Sequence, residues 1–88
     1  MKIKDGFVLR QVMGNYVVVA VGEASKSFRG MLKLNDTAAE VWQGIENGLS
    51  ESEIAELLCE RYEVDGATAL TDVKKTVKEL LSHGFAEE

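Results

Sequence analysis

"GMLKLNDTAAEVW", residues 30–42, passes from a short apolar strand pattern to an amphipathic helix pattern with only Asn35 and Asp36 between them. Asn35 is a good N-cap, because its side-chain oxygen can accept from a helix-start amide that has no backbone partner. Leu34 before it can reach Ala39 as a hydrophobic staple, and Ala38, Val41, Trp42 and Ile45 then recur at helical spacing. The junction therefore divides the chain into a strand-rich first third and a helix-rich remainder.

Upstream, "FVLRQVM" (Phe7 to Met13) and "YVVVAVG" (Tyr16 to Gly22) are rich in valine and aromatic residues. Gly14 and Asn15 separate them, and both tolerate positive φ, so the pattern predicts a tight hairpin. "EASKSFR" (Glu23 to Arg29) is polar apart from Phe28 and reads as a connection, after which Met31 to Leu34 form a third short strand. Downstream, Ser50 and Asp65 repeat the capping signal of Asn35, each preceded by an apolar residue (Leu49, Val64), and Ser50 has Glu53 in position for a capping box. Gly48 and Gly84 close the first and third helices. Ile54, Leu57, Leu58 and Tyr62 line one face of the second helix; Leu70, Val73, Val77, Leu80 and Leu81 line one face of the third. A small antiparallel sheet and three amphipathic helices can cover one another's apolar faces. The predicted fold is one α+β domain over residues 1–88, a winged helix-turn-helix-like arrangement of three strands followed by three helices.

At 88 residues the chain supports a single modest core. It is 45% hydrophobic and 28% charged, ordinary values for a globular domain. Cys59 is the only cysteine, which excludes a disulfide framework and Cys/His metal spacing; with no signal-peptide pattern or long apolar run, the expected setting is the cytoplasm with no membrane span. A net charge of −5 argues against general affinity for nucleic acid.

Catalytic signals are absent. His83 is the only histidine and falls at the end of the third helix, where the helix dipole favours it as a solvated residue. Cys59 sits in an apolar helix pattern without a neighbouring cation-rich motif and reads as a small hydrophobe. "GEASKS" lacks the second glycine and the strand–loop–helix context of a phosphate loop. Two features remain as binding surface. Met31 to Leu34 form a candidate edge strand able to accept an extended peptide. Lys74, Lys75 and Lys78 make a basic stripe beside Val73, Val77 and Leu81.

"LNDTAAEVW" (Leu34 to Trp42), then "SESEIAELLCERYEVD" and "DVKKTVKELLSHGFAEE" in that order, resemble the PqqD-like family over roughly Gly6 to the C-terminus. The resemblance implies a non-catalytic recognition element without a cofactor. Its partner would be the leader of a ribosomally made precursor peptide, added as a strand to the third strand beside the third helix and presented to a modifying enzyme, often a radical S-adenosylmethionine protein. Carried onto this sequence, the augmented strand is Met31, Leu32, Lys33 and Leu34, and the facing wall is Leu70, Val73, Lys74, Val77, Lys78 and Leu81. The lysines would then favour acidic leader residues. Tyr16 stands where members serving the quinone pathway often carry tryptophan, and "VGEASKSFRGM" is a longer connection than theirs, so that pathway is one of several open readings.

Two rival readings use the same fold. A winged-helix DNA binder would set Lys74, Lys75 and Lys78 against phosphates, yet only Arg10 and Arg29 precede Arg61, and the net charge opposes it. A homodimer would pair the sheet edge with its own copy.

Overall fold

The computed structural model describes residues 1–28 and 30–88; Arg29, at the end of the predicted connection, lies outside the described residues. The element order is β1 (Lys2–Ile3), β2 (Phe7–Val12), β3 (Asn15–Ala20), a 3-10 turn (Gly22–Lys26), β4 (Met31–Leu34), α1 (Asp36–Glu46), α2 (Glu51–Arg61), α3 (Gly66–Ser82) and β5 (Ala86–Glu87). Strands β2, β3 and β4 form an antiparallel sheet in that order, followed by the three helices, which is the predicted α+β arrangement. A separate two-stranded sheet pairs β1 with β5, a closure the sequence pattern did not reveal.

The hairpin turn sits one residue earlier than the pattern suggested. Val12 pairs with Asn15, so Met13 (φ 51°) and Gly14 (φ 82°) are the central residues. Two successive positive φ values belong to a type I′ turn, whose twist matches that of the flanking strands. Tertiary pairing has placed methionine where asparagine or glycine is usual.

All three predicted N-caps are in place. The Asn35 side chain accepts from the Ala38 amide at 2.8 Å, Ser50 from Glu53 at 3.1 Å and Asp65 from Thr68 at 2.8 Å. Glu53 reaches back to the Ser50 amide at 2.9 Å, completing the capping box, and that backbone bond holds its carboxyl below the usual carboxylate range. Both C-terminal ends are Schellman motifs. Leu49 donates to the Gly44 carbonyl and Gly48 to Ile45; Phe85 donates to Leu80 and Gly84 to Leu81.

The core runs between the helices and one face of the sheet. Trp42 and Val18 are fully buried, with Val41, Ile45, Ile54, Leu58, Val73, Val77 and Leu80 around them. In α1 it is Ala39, rather than the predicted Ala38, that is buried, a rotation of one position within the same apolar face. Phe7, Phe28 and Phe85 meet edge to face with ring centroids 4.9–5.7 Å apart. The connection before β4 is therefore anchored through Phe28 into the core.

Candidate functional site

Strand β4 is hydrogen-bonded to β3 on one side only, with Leu34 opposite Tyr16, Lys33 opposite Val17, Leu32 opposite Val18 and Met31 opposite Val19. Its other edge pairs with no strand among the described residues. Period-2 alternation turns Leu32 and Leu34 toward the core, half-buried, and leaves Met31 and Lys33 exposed. The Asn35 cap stops the strand by turning the chain into α1, so the edge is short and rigidly held at one end.

A groove of about 470 Å³ lies between this edge and α3. Leu32, Lys33 and Leu34 border one side, with Asn35, Thr37 and Ala38 from the strand–helix junction. On the facing side stand Asp72, Lys75, Thr76 and Glu79, which recur every three or four residues along one flank of α3. Buried Leu80 and Phe85 form an apolar lining where α3 ends, and the Schellman turn at Gly84 is what brings Phe85 back to this point. His83, the exposed C-cap of α3, stands at the same end with its ring 6.4 Å from Phe85.

The charges around the groove balance: Lys33 and Lys75 against Asp72 and Glu79. Neutral surroundings with an apolar lining suit an extended peptide of alternating character better than a uniformly acidic one. Small side chains at Thr37, Ala38 and Thr76 leave room for a backbone. Among the described residues no group of three or more His, Cys, Asp or Glu side chains could hold a metal ion, and no helix is long and apolar enough to cross a membrane.

The structure separates the residues that the sequence reading put on the α3 wall. Val73 and Val77 are buried beneath the helix, 0% and 5% exposed. Lys74, Lys78 and Leu81 border a different hollow of about 520 Å³, on the opposite flank of α3, with Leu49 and Ser50. Leu70 faces Ala55 and Cys59 of α2. Leu32, Lys33 and Leu34 border the groove beside α3, while Met31 belongs to the same strand but faces outward. The flank carrying Asp72, Lys75, Thr76 and Glu79 was missed because it reads as a solvated polar face. Helical periodicity identifies the buried stripe and leaves the two flanks equivalent.

The fold and sequence match known proteins. A solved structure titled "TbiB1 in Complex with the TbiA(beta) Leader Peptide" has 23% identity and a TM-score of 0.80, with 99% of this chain and 95% of that one covered. Another, "Lasso peptide synthetase B1 complexed with the leader peptide", has 26% identity and a TM-score of 0.81, covering 99% and 96%. No curated protein matches. Residues 15–86, from the start of β3 to the start of β5, match the family described as Coenzyme PQQ synthesis protein D (PqqD), and the chain belongs to that family.

Proposed function

We infer that the chain is a leader-peptide recognition module, which binds the leader of a ribosomally made precursor peptide as an added strand on β4. The observation that carries this is the groove of about 470 Å³ beside a one-sided strand. Backbone hydrogen bonds to β4 would supply affinity with little sequence demand, while Leu32, Leu34, Leu80 and Phe85 receive alternate apolar side chains of the leader. The lasso peptide synthetase B1 with its leader, 26% identical over nearly the whole chain, supports the same reading. Because Asn35 and the core fix β4 beforehand, less binding energy goes into ordering the edge.

The module acts as one non-catalytic domain over residues 1–88 and hands the leader to a separate modifying enzyme, of which a radical S-adenosylmethionine protein is the favoured class. The peptide-contacting set is Met31, Leu32, Lys33 and Leu34 on the strand, with Asp72, Lys75, Thr76 and Glu79 taking the helical side in place of Lys74 and Lys78.

Titrating the labelled protein with leader segments from precursor genes near its own tests this by backbone NMR. Shifts concentrate at Met31–Leu34, Asp72, Lys75, Thr76 and Glu79, and a Lys75→Glu change alters affinity more than Lys78→Glu. Shifts confined to the Phe7–Ala20 hairpin, or no binding by any such leader, would sink the assignment.

A further inference from the structure

The sheet has a second face, turned away from the main core cluster. Pairing register sets Val8, Val19 and Met31 in one cross-strand row and Arg10, Val17 and Lys33 in the next, with Val12 beside Asn15 at the hairpin end. Alternation sends these side chains away from the face that carries Phe7, Leu9, Val18, Leu32 and Leu34. None of the apolar ones belongs to the main core cluster or to the residues packed against it. Antiparallel sheets with one wet face usually turn polar residues outward. Here four valines and a methionine face out: Met31 is 66% and Val12 45% exposed, Val8 and Val19 are half-buried, and Val17 between Arg10 and Lys33 is 7% exposed.

Met13 is a second anomaly at the hairpin end. It holds φ 51° and is 96% exposed, so folding gains nothing from its side chain and the backbone disfavours it. An exposed, adaptable methionine kept at a strained turn is typical of a recognition surface rather than of a folding need.

The charges select the occupant. Arg10 and Lys33 are the only charged residues in these rows, and both are positive on a chain of net charge −5. We propose that the outer face of the β2–β3–β4 sheet docks the modifying enzyme, through a protein surface with an aliphatic centre bordered by Asp and Glu side chains. A second copy is disfavoured, because two-fold packing of this face sets Arg10 and Lys33 against cations of the other chain. Two cations on an acidic protein are too few to hold an anionic membrane. A leader added to β4 extends the same sheet, and its outward side chains continue the apolar surface. The enzyme would then touch module and leader together; this last step rests on the leader-binding reading.

The test is biolayer interferometry of the full chain against the purified modification enzymes encoded beside its gene, with leader affinity followed separately by fluorescence anisotropy. Met13→Asn and Arg10→Glu each weaken enzyme docking by about 10-fold or more, while leader affinity stays within about twofold. Met13→Asn suits the turn better than methionine, so its loss of docking cannot come from unfolding. Unchanged docking in both variants overturns the proposal. So does a dimer, or binding to phosphatidylserine vesicles, that the same variants abolish. Docking that these variants weaken, in a protein that binds no leader, supports the outer face and counts against the groove.

Discussion

Met13 shows how tertiary pairing can override a local preference. The "MGN" sequence offers two turn placements, and Gly14–Asn15 is the one that local propensity favours. The observed placement pairs Phe7 with Ala20 and Leu9 with Val18; a Gly14–Asn15 turn would keep the same faces but shift every cross-strand partner by two residues, setting Leu9 opposite Ala20 instead of Val18. Met13 then bears a left-handed conformation costing about 1–2 kcal/mol for an ordinary L-residue. Asparagine tolerates that region, so Met13→Asn is expected to stabilise the protein by about 0.5–1 kcal/mol. For a domain of this size that raises the Tm by about 2–8 °C, measurable by calorimetry. A lower Tm would mean that the methionine makes packing contacts in solution. The N-caps behave differently, since Asn35, Ser50 and Asp65 act within three residues of themselves and were legible from sequence.

At the scale of elements, α1 and α2 approach closely at Gly44. A Cβ built there would lie 2.6 Å from Ile54 Cγ1 and 2.9 Å from Cδ1, and Ile54 is 1% exposed with little freedom to move aside. Helix propensity alone favours alanine by up to about 1 kcal/mol. Overpacking a tight core costs about 1–3 kcal/mol and outweighs it. Gly44→Ala is therefore expected to lower stability by about 1 kcal/mol in urea unfolding, followed by the fluorescence of buried Trp42; a stabilised variant would show that the helices can separate. A link at the other end of the pair is Arg61, whose Nη1 donates to both Glu40 carboxylate oxygens at 2.6 Å. Helix α3 shows what periodicity leaves open. Of its predicted stripe, Val73, Val77 and Leu80 are buried while Leu70 and Leu81 are half-buried, and Ala69 is buried beside them. Which flank meets β4 depends on how the helix is laid across the sheet, and Lys75 and Lys74, adjacent in sequence, end on opposite sides of that stripe.

Across the whole molecule, the two chain ends are tied together beside the groove. Ile3 pairs with Ala86, Lys2 lies 3.2 Å from Glu87, and the Lys4 amide donates to the Phe85 carbonyl at 2.9 Å. Phe85 thereby connects the end sheet, the Phe7–Phe28 cluster and the groove lining. Removing Met1–Lys4 loses partly buried Ile3, the backbone bonds and an exposed ion pair, together worth about 2–4 kcal/mol. The truncated chain is expected to exchange the amides of residues 85–87 faster and to bind leader more weakly, as hydrogen exchange and anisotropy would show. Unchanged leader affinity would mean that the groove lining holds without β1.

Local features were legible in the sequence: the order of β2, β3, β4 and the three helices, the three caps, the two closing glycines and the larger members of each helix's buried stripe. All of these depend on interactions within about four residues, where side-chain type and spacing decide the outcome. The family could be read from the same local order, because "LNDTAAEVW" and the two helix patterns after it carry it. The turn register, the β1–β5 closure and the α3 flank that faces β4 were set by tertiary contacts. Those depend on packing between segments distant in the chain, where a rotation about a helix axis or a shift in strand pairing changes which side chains meet although the linear pattern treats them alike.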